Sequence, residues 1–493
     1  MKVLSIDLGA TSGRIMVVNY LNGFISYEEI FRFQNVINKR SDNSLHWDIK
    51  LLINNIIHGI KEAFNKHSDI ASIGVDSWGV DYLYIDARGN VVDDPYCYRD
   101  PRTITSSKKV LDILNFKTIY DLTGIQYLNI NTIYQLYDDV INRRDQLLSN
   151  ADKLMMIPDY VAYCLTGQIT SEITILSTMS ILDVRSLELS EQIINALGIK
   201  PYLFPSKVVE PGQLIGYLHK DILNLKRKIP VYAVCSHDTS SAVLATPISD
   251  KSVYISSGTW SLIGVELKQF RNDHISFKNN FTNELGYKRH FNYLKNVMGT
   301  FIISELRKDF EKRGDRVDYP TINRLISEVP EVDKYIDGDN VMFYGPGNML
   351  KKIQNYLKNT GQSNPTFPGQ YYKLVYQSMA CKYRYTIDQI KRVFSNIEEI
   401  IVVGGGNQSD VLNQYTANVT GIKVIQGPTE ATVYGNALVQ LIAMGQISDE
   451  VEGRKIISQS LSHNKTYLPK DREIWEKKYN NYLNYVHPNG DKE

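Results

Sequence analysis

One local pattern occurs twice, about half a chain apart, and it limits the folds open to this sequence. Residues 3–20 read as an apolar strand, a turn rich in Gly, Ser and Thr, and a second strand, and residues 253–265 repeat that order. Gly9 and Gly258 mark the two turns in a chain of 493 residues. Such recurrence is typical of duplicated domains. We therefore expect two domains, residues 1–246 and 247–493, with a cleft between them.

Periodicity and turn residues predict strands and helices in both halves, which indicates an α/β protein with mixed sheets. Further strands are expected at 24–33, 70–74, 80–85, 231–235, 400–403 and 423–425. Helices are expected at 48–67, through much of 101–200, and at 239–245, 297–313, 318–328 and 370–394. Residues 268–290 read as a polar stretch and 344–369 as a loop region.

Composition excludes several classes of protein. Lys and Arg number 55 against 54 Asp and Glu, so the basic excess typical of a nucleic-acid binder is absent. The four cysteines form no CxxC pair, which argues against a disulfide framework or zinc site and fits a reducing cytoplasm. The N-terminus lacks a signal-peptide core, and no long apolar run is present. We expect a cytoplasmic protein without nucleic-acid or membrane partners.

The first turn, residues 7–14 (Asp-Leu-Gly-Ala-Thr-Ser-Gly-Arg), is a candidate phosphate loop. Glycines let backbone amides approach a phosphate, hydroxyls donate to its oxygens, and Asp7 can hold a hydrated Mg²⁺. The segment is not a Walker A loop, because it joins strand to strand and lacks Gly-Lys-Ser/Thr. Its counterpart at 256–259 could face the same polyphosphate from an opposite wall. The alternative is an ordinary polar hairpin turn.

A second candidate is the glycine run at 404–406, between a predicted strand and a helix. Three glycines allow the backbone to lie flat against a nucleobase or ribose. The run is not a dinucleotide fingerprint, because position 409 is Ser where a third glycine is required. A tight strand–helix turn explains it equally simply.

A third candidate is residues 235–239, Cys-Ser-His-Asp-Thr, at the end of a predicted strand. Ligand sites in open α/β sheets lie at such strand ends. The positive end of the following helix would favour the ionised form of Asp238, as suits a base that accepts a hydroxyl proton. On this feature alone a helix N-cap is the more common explanation. His237 is interpreted as a packing residue or a substrate contact.

Residues 76–81, Asp-Ser-Trp-Gly-Val-Asp, could form a platform for a sugar. The face of Trp78 would lie against C–H groups, and carboxylates such as Asp81 would bind hydroxyls. Arg99 nearby could add a hydroxyl-binding charge. A buried Trp at a chain bend and a solvated loop are the alternatives.

Taken together, these motifs resemble the FGGY carbohydrate kinases over nearly the whole chain, and most of all those that phosphorylate L-rhamnulose. No single motif is specific to this family, but the occurrence of all of them in this order along the chain is. The segments that carry the resemblance are 7–14, 74–81, 98–100, 124–126, 131–136, 158–160 with 165–167, 236–239, 256–262, 295–299 and 403–406.

The resemblance implies two ribonuclease-H-like domains of the actin/hexokinase/Hsp70 superfamily that flank a central catalytic cleft. It implies ATP-dependent phosphorylation of L-rhamnulose to its 1-phosphate, with Mg²⁺ as cofactor, in a monomer or homodimer. The residue roles that it implies are Asp238 as base; Ala10, Thr11, Ser12, Gly13, Arg14 and Thr259 on the ATP phosphates; Gly405 at the adenosine; and Gly79, His237, Asp238, Thr239 and Asn296 on the sugar.

Three positions depart from the family pattern. Ser304 stands where a Gln usually lies on the nucleotide side, so that contact is either missing or made through water. Phe301 replaces Trp, and Leu285 replaces the first Gly after Asn-Glu near the sugar. The fine substrate choice therefore stays open between L-rhamnulose and another deoxy-ketose such as L-fuculose. A non-catalytic sensor on the same fold is a further alternative, although a sensor has no need of Asp238.

Overall fold

The computed structural model describes residues 1–314, 317–345, 347–461 and 464–487. Strands and helices alternate along this part of the chain, as the sequence predicts. The strands are β1 Lys2–Leu8, β2 Ser12–Leu21, β3 Phe24–Gln34, β4 Ile37–Lys39, β5 Leu45–Trp47, β6 Ile70–Ser77, β7 Tyr82–Ile85, β8 Lys153–Met156, β9 Ser171–Glu172, β10 Leu182–Asp183, β11 Glu188–Leu189, β12 Val208–Val209, β13 Leu214–Tyr217, β14 Pro230–Tyr232, β15 Ser252–Ser257, β16 Trp260–Leu267, β17 Thr282–Leu285, β18 Phe291–Met298, β19 Glu399–Val403, β20 Lys423–Gln426 and β21 Thr466–Tyr467.

The helices vary from single turns to seven turns. They are α1 Ile49–Lys66, α2 Thr103–Ile113, α3 Phe116–Thr123, α4 Thr132–Asn142, α5 Ile157–Thr166, α6 Ile173–Ser177, α7 Glu191–Leu197, α8 Asp238–Ala245, α9 His274–Lys278, α10 Phe301–Glu311, α11 Tyr319–Glu328, α12 Met349–Asn359, α13 Pro368–Lys391, α14 Asp410–Thr420, α15 Ala431–Ala443, α16 Glu450–Ser460 and α17 Arg472–Val486. No helix among the described residues is long and apolar enough to span a membrane.

The chain divides into two compact units that are not simple halves. The first unit comprises Met1–Pro247, Glu266–Tyr293 and Glu430–Ser462, and the second comprises Ile248–Val265, Leu294–Thr429 and His463–Glu493. The first change of unit falls between Pro247 and Ile248, next to the boundary expected between residues 246 and 247. Two later segments return to the first unit, because β17 packs on α6 and α15 packs on α8 and β1.

The first unit is built on a six-stranded sheet in the order β13-β14-β6-β1-β2-β3. Its central strand β1 pairs antiparallel with β2 and parallel with β6, which in turn pairs parallel with β14. Because β1, β6 and β14 run in the same direction, their C-terminal ends meet at one edge of the sheet. This edge is where an α/β sheet places a ligand site.

Helix α1 shows how periodicity selects local structure in this unit. Its apolar residues recur at helical spacing, so that Leu52, Ile56 and Ile60 are buried on one side. That side packs on β2 and β3. The Asp48 carboxylate caps the first turn by accepting from the Leu51 amide at 2.9 Å.

The second unit repeats the arrangement of the first. Strand β15 pairs antiparallel with β16 and parallel with β19, as β1 does with β2 and β6. Strand β20 continues the parallel set beyond β19, and β21 pairs antiparallel with β20. The matched topologies agree with the duplication that the repeated hairpin indicates, and they confirm the mixed α/β, ribonuclease-H-like fold class that the family resemblance implies.

Three sequence expectations about secondary structure are wrong. The stretch 344–369 contains α12, which the sequence does not predict because the helical spacing of its apolar residues is outweighed by the Gly- and Pro-rich segments on either side. The polar stretch 268–290 contains α9 and the fully buried strand β17. The helix expected from residue 297 begins at Phe301, because β18 extends to Met298.

Candidate active site

Three carboxylates gather at the strand ends of the first unit. Asp7 and Asp76 are register neighbours on the parallel strands β1 and β6, and both are buried. Asp238 is the first residue of α8, which follows β14. Burial, followed by the negative charge of Asp7, raises the pKa of Asp76 well above its usual range. The same two causes raise the pKa of Asp238 to about 7.

Arg14 neutralises part of this charge. It faces Asp7 across the β1–β2 hairpin, and its guanidinium donates to both Asp7 and Glu430. The two carboxylates raise the pKa of Arg14 against the opposing effect of its burial. Arg14 therefore lies in the site, but two of its nitrogens are occupied by protein carboxylates. Glu430 has no local sequence signal, since it lies more than 400 residues from its partner.

The candidate phosphate loop is a tight turn fixed by its backbone. The Gly9 amide donates to the Ser12 carbonyl at 3.0 Å, and Asn35 Nδ2 donates to the Gly9 carbonyl at 2.6 Å. Ala10 and Ser12 are half-buried and Thr11 is exposed. A Cβ at Gly13 would lie 2.2 Å from the Phe33 ring, so this glycine is required by packing.

The segment 236–239 lies beside the end of β6. The Ser77 amide donates to the Ser236 carbonyl at 2.8 Å, and the Thr239 hydroxyl donates to Asp238 Oδ1 at 3.2 Å. His237 Nε2 is 3.5 Å from Asp238 Oδ1. A Cβ at Gly79 would lie 3.4 Å from the same nitrogen. Because Gly79 has no side chain, the space beside His237 Nε2 stays open. The structure thus brings Gly79, His237, Asp238 and Thr239 together.

Two buried glutamates support this segment. Glu172 accepts from the Ser236 amide at 3.1 Å and from the first amides of α6, and burial raises its pKa to about 7. Glu284, on β17, places Oε2 3.4 Å from His237 Nδ1. Sequence reasoning assigns a role to neither glutamate.

Val80 has a strained backbone directly after Gly79. Its φ is +69°, in the left-handed region that a β-branched residue rarely adopts. Hydrogen bonds hold it there: its carbonyl accepts from the Thr132 hydroxyl at 2.7 Å and from Gln135 Nε2 at 3.2 Å. Strain of this kind is maintained when the surroundings over-determine it, and it concentrates at functional sites.

The three additional sugar candidates occupy different environments. Asp81 is fully buried and accepts from Trp47 Nε1 at 2.7 Å and Trp78 Nε1 at 3.0 Å, while burial raises its pKa to about 6. Trp78 is only 6% exposed and packs against Trp47. Arg99 is exposed and lies over the Tyr98 ring. Asp81 therefore orients the two indoles that shape this region.

The second unit gathers its own candidate residues at the ends of β15 and β19. Thr259 is exposed in the turn after β15, and its carbonyl accepts from the Gly299 amide at 3.2 Å. Ser304 lies one turn into α10, with its amide bonded to the Thr300 carbonyl. Asn296 lies on β18 of this unit.

The glycine run follows β19 and forms a short 3₁₀ turn, Gly405–Gln408, before α14. A Cβ at Gly404 or Gly406 would approach Ser257 atoms to 2.9 and 2.1 Å respectively. A Cβ at Gly405 would meet no atom within 4 Å. Gly404 and Gly406 are thus needed for packing on β15, whereas Gly405 faces open space.

A hydrated divalent cation fits the residues around Asp7. Asp76 Oδ1 is buried and has no hydrogen-bond partner among the described residues. The charge of the neighbouring carboxylates is only partly balanced by Arg14. Within 1–314, 317–345, 347–461 and 464–487, no three His, Cys, Asp or Glu side chains are grouped to hold a metal ion directly. The unpaired Asp76 Oδ1 and the partly balanced charge are features that a hydrated cation would satisfy.

Comparison with known proteins gives one consistent family. Residues 2–245 match the model of the FGGY family of carbohydrate kinases, N-terminal domain, and residues 253–444 match that of its C-terminal domain. A rhamnulokinase of Bacteroides thetaiotaomicron is 36% identical over 489 residues, which cover 98% of this chain and 99% of that protein. A rhamnulokinase of Ligilactobacillus salivarius is 35% identical over 470 residues, covering 94% and 95%.

Solved structures show the same fold at low sequence identity. The crystal structure of ligand-bound xylulose kinase from Lactobacillus acidophilus superposes with a TM-score of 0.80 at 16% identity. The alignment covers 98% of this chain and 97% of that one.

Proposed function

Because the chain belongs to the FGGY family of carbohydrate kinases, we propose that it transfers the terminal phosphoryl group of ATP to O1 of L-rhamnulose. The choice of sugar is supported by the near full-length similarity to proteins named rhamnulokinase. The observation that carries the chemistry is the position of Asp238, at the start of α8 and beside Gly79 and His237.

Asp238 acts as the general base in this proposal. It accepts the proton of the sugar hydroxyl as the oxygen attacks the terminal phosphorus of ATP. A base is most effective when its pKa lies near the working pH. Burial and the charge of Asp7 raise the pKa of Asp238 to about 7, which is well above that of an ordinary aspartate.

The sugar is held by Gly79, His237, Thr239 and Asn296, and the nucleotide by residues 10–14, Thr259 and Gly405. Ser304 belongs to the nucleotide side, directly or through water. Asp7 would hold Mg²⁺ through water, and the ion would neutralise charge on the phosphate oxygens. Asp81 and Trp78 shape the sugar region rather than bind it openly, since both are buried. The protein works in the cytoplasm, in keeping with its four free cysteines.

The test is ADP release with a panel of sugars: L-rhamnulose, L-fuculose, D-xylulose and glycerol, each with MgATP. We expect the highest kcat/KM for L-rhamnulose, and phosphate on O1 when the product is examined by NMR. Asp238→Asn serves as the inactive control for contaminating kinases. A higher kcat/KM for any other sugar of the panel would overturn the substrate assignment.

A further inference from the structure

His237 lies between two carboxyl groups. Its Nε2 is 3.5 Å from Asp238 Oδ1, and its Nδ1 is 3.4 Å from Glu284 Oε2. His237 and Glu284 are only 8% and 7% exposed. Each ring nitrogen therefore faces one acid, and the two acids are on opposite sides of the ring.

Two facing atoms of this contact are unpaired. Neither His237 Nδ1 nor Glu284 Oε2 makes a hydrogen bond in the described part of the chain, while the Thr282 hydroxyl also acts on the Glu284 carboxyl. A buried polar atom without a partner costs free energy, because it has lost its hydrogen bonds to water. A single proton placed between these two atoms satisfies both.

The neighbouring base decides which atom carries that proton. Asp238 must be ionised to accept a hydroxyl proton, and an ionised carboxylate is only an acceptor. His237 Nε2 faces it and therefore carries hydrogen. A neutral imidazole has one N–H, so Nδ1 is then an acceptor. Glu284 must be the donor, and it can donate only when protonated.

We propose that protonated Glu284 donates to His237 Nδ1 and so fixes the histidine tautomer that presents Nε2–H to the substrate and to Asp238. Glu284 is thus a positioning residue for the sugar-binding histidine. This inference rests on the proposed kinase function for its consequence in turnover, but not for the tautomer itself.

The electrostatic surroundings favour this neutral pair. Burial, followed by the charge of Asp238, raises the pKa of Glu284 to about 8. Burial lowers the pKa of His237 to about 4. The Thr282 hydroxyl opposes the two effects on Glu284, but its influence is the smallest of the three. Asp238 itself faces the acid Asp7 and the cation Arg14.

The proposal has a consequence for pH dependence. When the pH rises through about 8, Glu284 loses its proton. Its carboxylate then accepts hydrogen bonds only, and it faces His237 Nδ1, which is also an acceptor. The histidine then moves its hydrogen to Nδ1, which leaves a bare Nε2 opposite the Asp238 carboxylate. Sugar binding and turnover should decline on this alkaline side.

Enzyme kinetics tests this consequence with two variants of Glu284. Glu284→Gln keeps a donor, the side-chain amide, that does not titrate, whereas Glu284→Met keeps volume without a donor. Measured as kcat/KM for L-rhamnulose against pH, the Gln variant should lose a few-fold but show no alkaline decline. The Met variant should lose about ten-fold or more below pH 8, as expected for one buried hydrogen bond, and the difference from wild type should shrink above pH 8, where wild-type Glu284 no longer donates. Glu210→Gln, at a partly exposed glutamate that pairs with Arg289, serves as the matched control and should keep the wild-type profile.

Histidine ¹⁵N NMR of the ligand-free protein tests the tautomer directly, with His237→Gln used to assign the signal. We expect the Nε2–H form at neutral pH, a change as the pH passes about 8 in the wild type, and no change in Glu284→Gln. An Nδ1–H form at neutral pH, or an alkaline decline retained in Glu284→Gln, overturns the proposal. If L-rhamnulose is not phosphorylated while the NMR result holds, only the proposed function fails.

Discussion

At the scale of single residues, the site contains several carboxyl groups whose surroundings make the charged form unfavourable. Asp76, Asp238 and Glu284 all have raised pKa values because they are buried near one another. A carboxylate whose pKa is raised by its surroundings is a stronger base than an exposed one. Burying these charges destabilises the folded protein, so a mutation that removes one of them should affect activity and stability in opposite directions.

Asp238→Asn tests that separation. Loss of a positioned base is expected to lower kcat by about 10²–10⁴-fold, with ATP affinity retained. In the folded protein the pKa of Asp238 is about 7, above its ordinary value. Ionisation of Asp238 therefore lowers the free energy of unfolding as the pH rises from about 4 to 7. Asn does not ionise, so the variant is not destabilised in this way. Its melting temperature should exceed that of the wild type, and the difference should increase from about pH 4 to pH 7.

Asp81→Asn is the control for this experiment. Asp81 accepts from Trp47, Trp78 and Gln135, so its replacement disturbs packing and should lower the melting temperature. If Asp238→Asn also lowers the melting temperature and keeps kcat within a few-fold, Asp238 is only a helix cap. The base would then be sought among Asp76, Asp81 and Asp100.

Val80 gives a second residue-level prediction. Its φ of +69° costs on the order of 1–3 kcal/mol in a β-branched residue. Val80→Gly relieves that strain, so the melting temperature should stay level or rise, while KM for the sugar increases because the loop after Gly79 loosens. Val75→Gly, in the buried strand β6, is the matched control and should destabilise the protein. A large loss of stability in Val80→Gly, equal to that of the control, would contradict the assignment of strain.

At the scale of elements, local patterns in the sequence predict most of the strands and helices but few of the contacts. The strand pattern in residues 3–20, the strand expected at 24–33 and the helix expected at 48–67 correctly predict β2, β3 and α1. Helix α12 is missed because its flanking glycines and prolines dominate the local composition. Glu172, Glu284 and Glu430 act on residues 64, 47 and 416 positions away, and no local pattern reports such contacts.

Backbone geometry is likewise invisible in the sequence. The glycine run was open to two explanations, and the structure separates its members: Gly404 and Gly406 approach Ser257, and Gly405 does not. The strain at Val80 has no sequence signal, because Val is the residue least expected in that conformation.

Gly405→Val is a prediction at this scale. A Cβ at residue 405 meets no atom within 4 Å, so the melting temperature should stay within about a degree of the wild type. If the backbone of residue 405 lies against the nucleoside, KM for ATP should rise at least ten-fold while KM for the sugar changes little. Gly406→Ala is the control, since its Cβ would overlap Ser257 Oγ and should destabilise the second unit. Unchanged KM for ATP in Gly405→Val would leave the run as an ordinary turn.

At the scale of the whole molecule, the duplicated topology gives each unit its own strand-end cluster. In the first unit the cluster comprises 77–80 and 236–239, and in the second it comprises 256–259 and 404–408. The first contains the proposed base and the proposed sugar contacts other than Asn296, and the second contains the proposed nucleoside contact. We propose that the two copies of one hairpin and parallel strand serve mainly different ligands.

Amide hydrogen exchange of the intact protein tests this division. A ligand that binds only the folded state slows local opening where it binds. L-rhamnulose alone should slow exchange in 77–80 and 236–239, and ADP alone should slow it in 256–259 and 404–408. In Gly405→Val the protection by ADP should disappear from 404–408, whereas protection by the sugar should persist in the first unit, because that site keeps all its residues. Protection of 236–239 by ADP alone, with no effect on 404–408, would contradict the assignment of the nucleoside to the second unit.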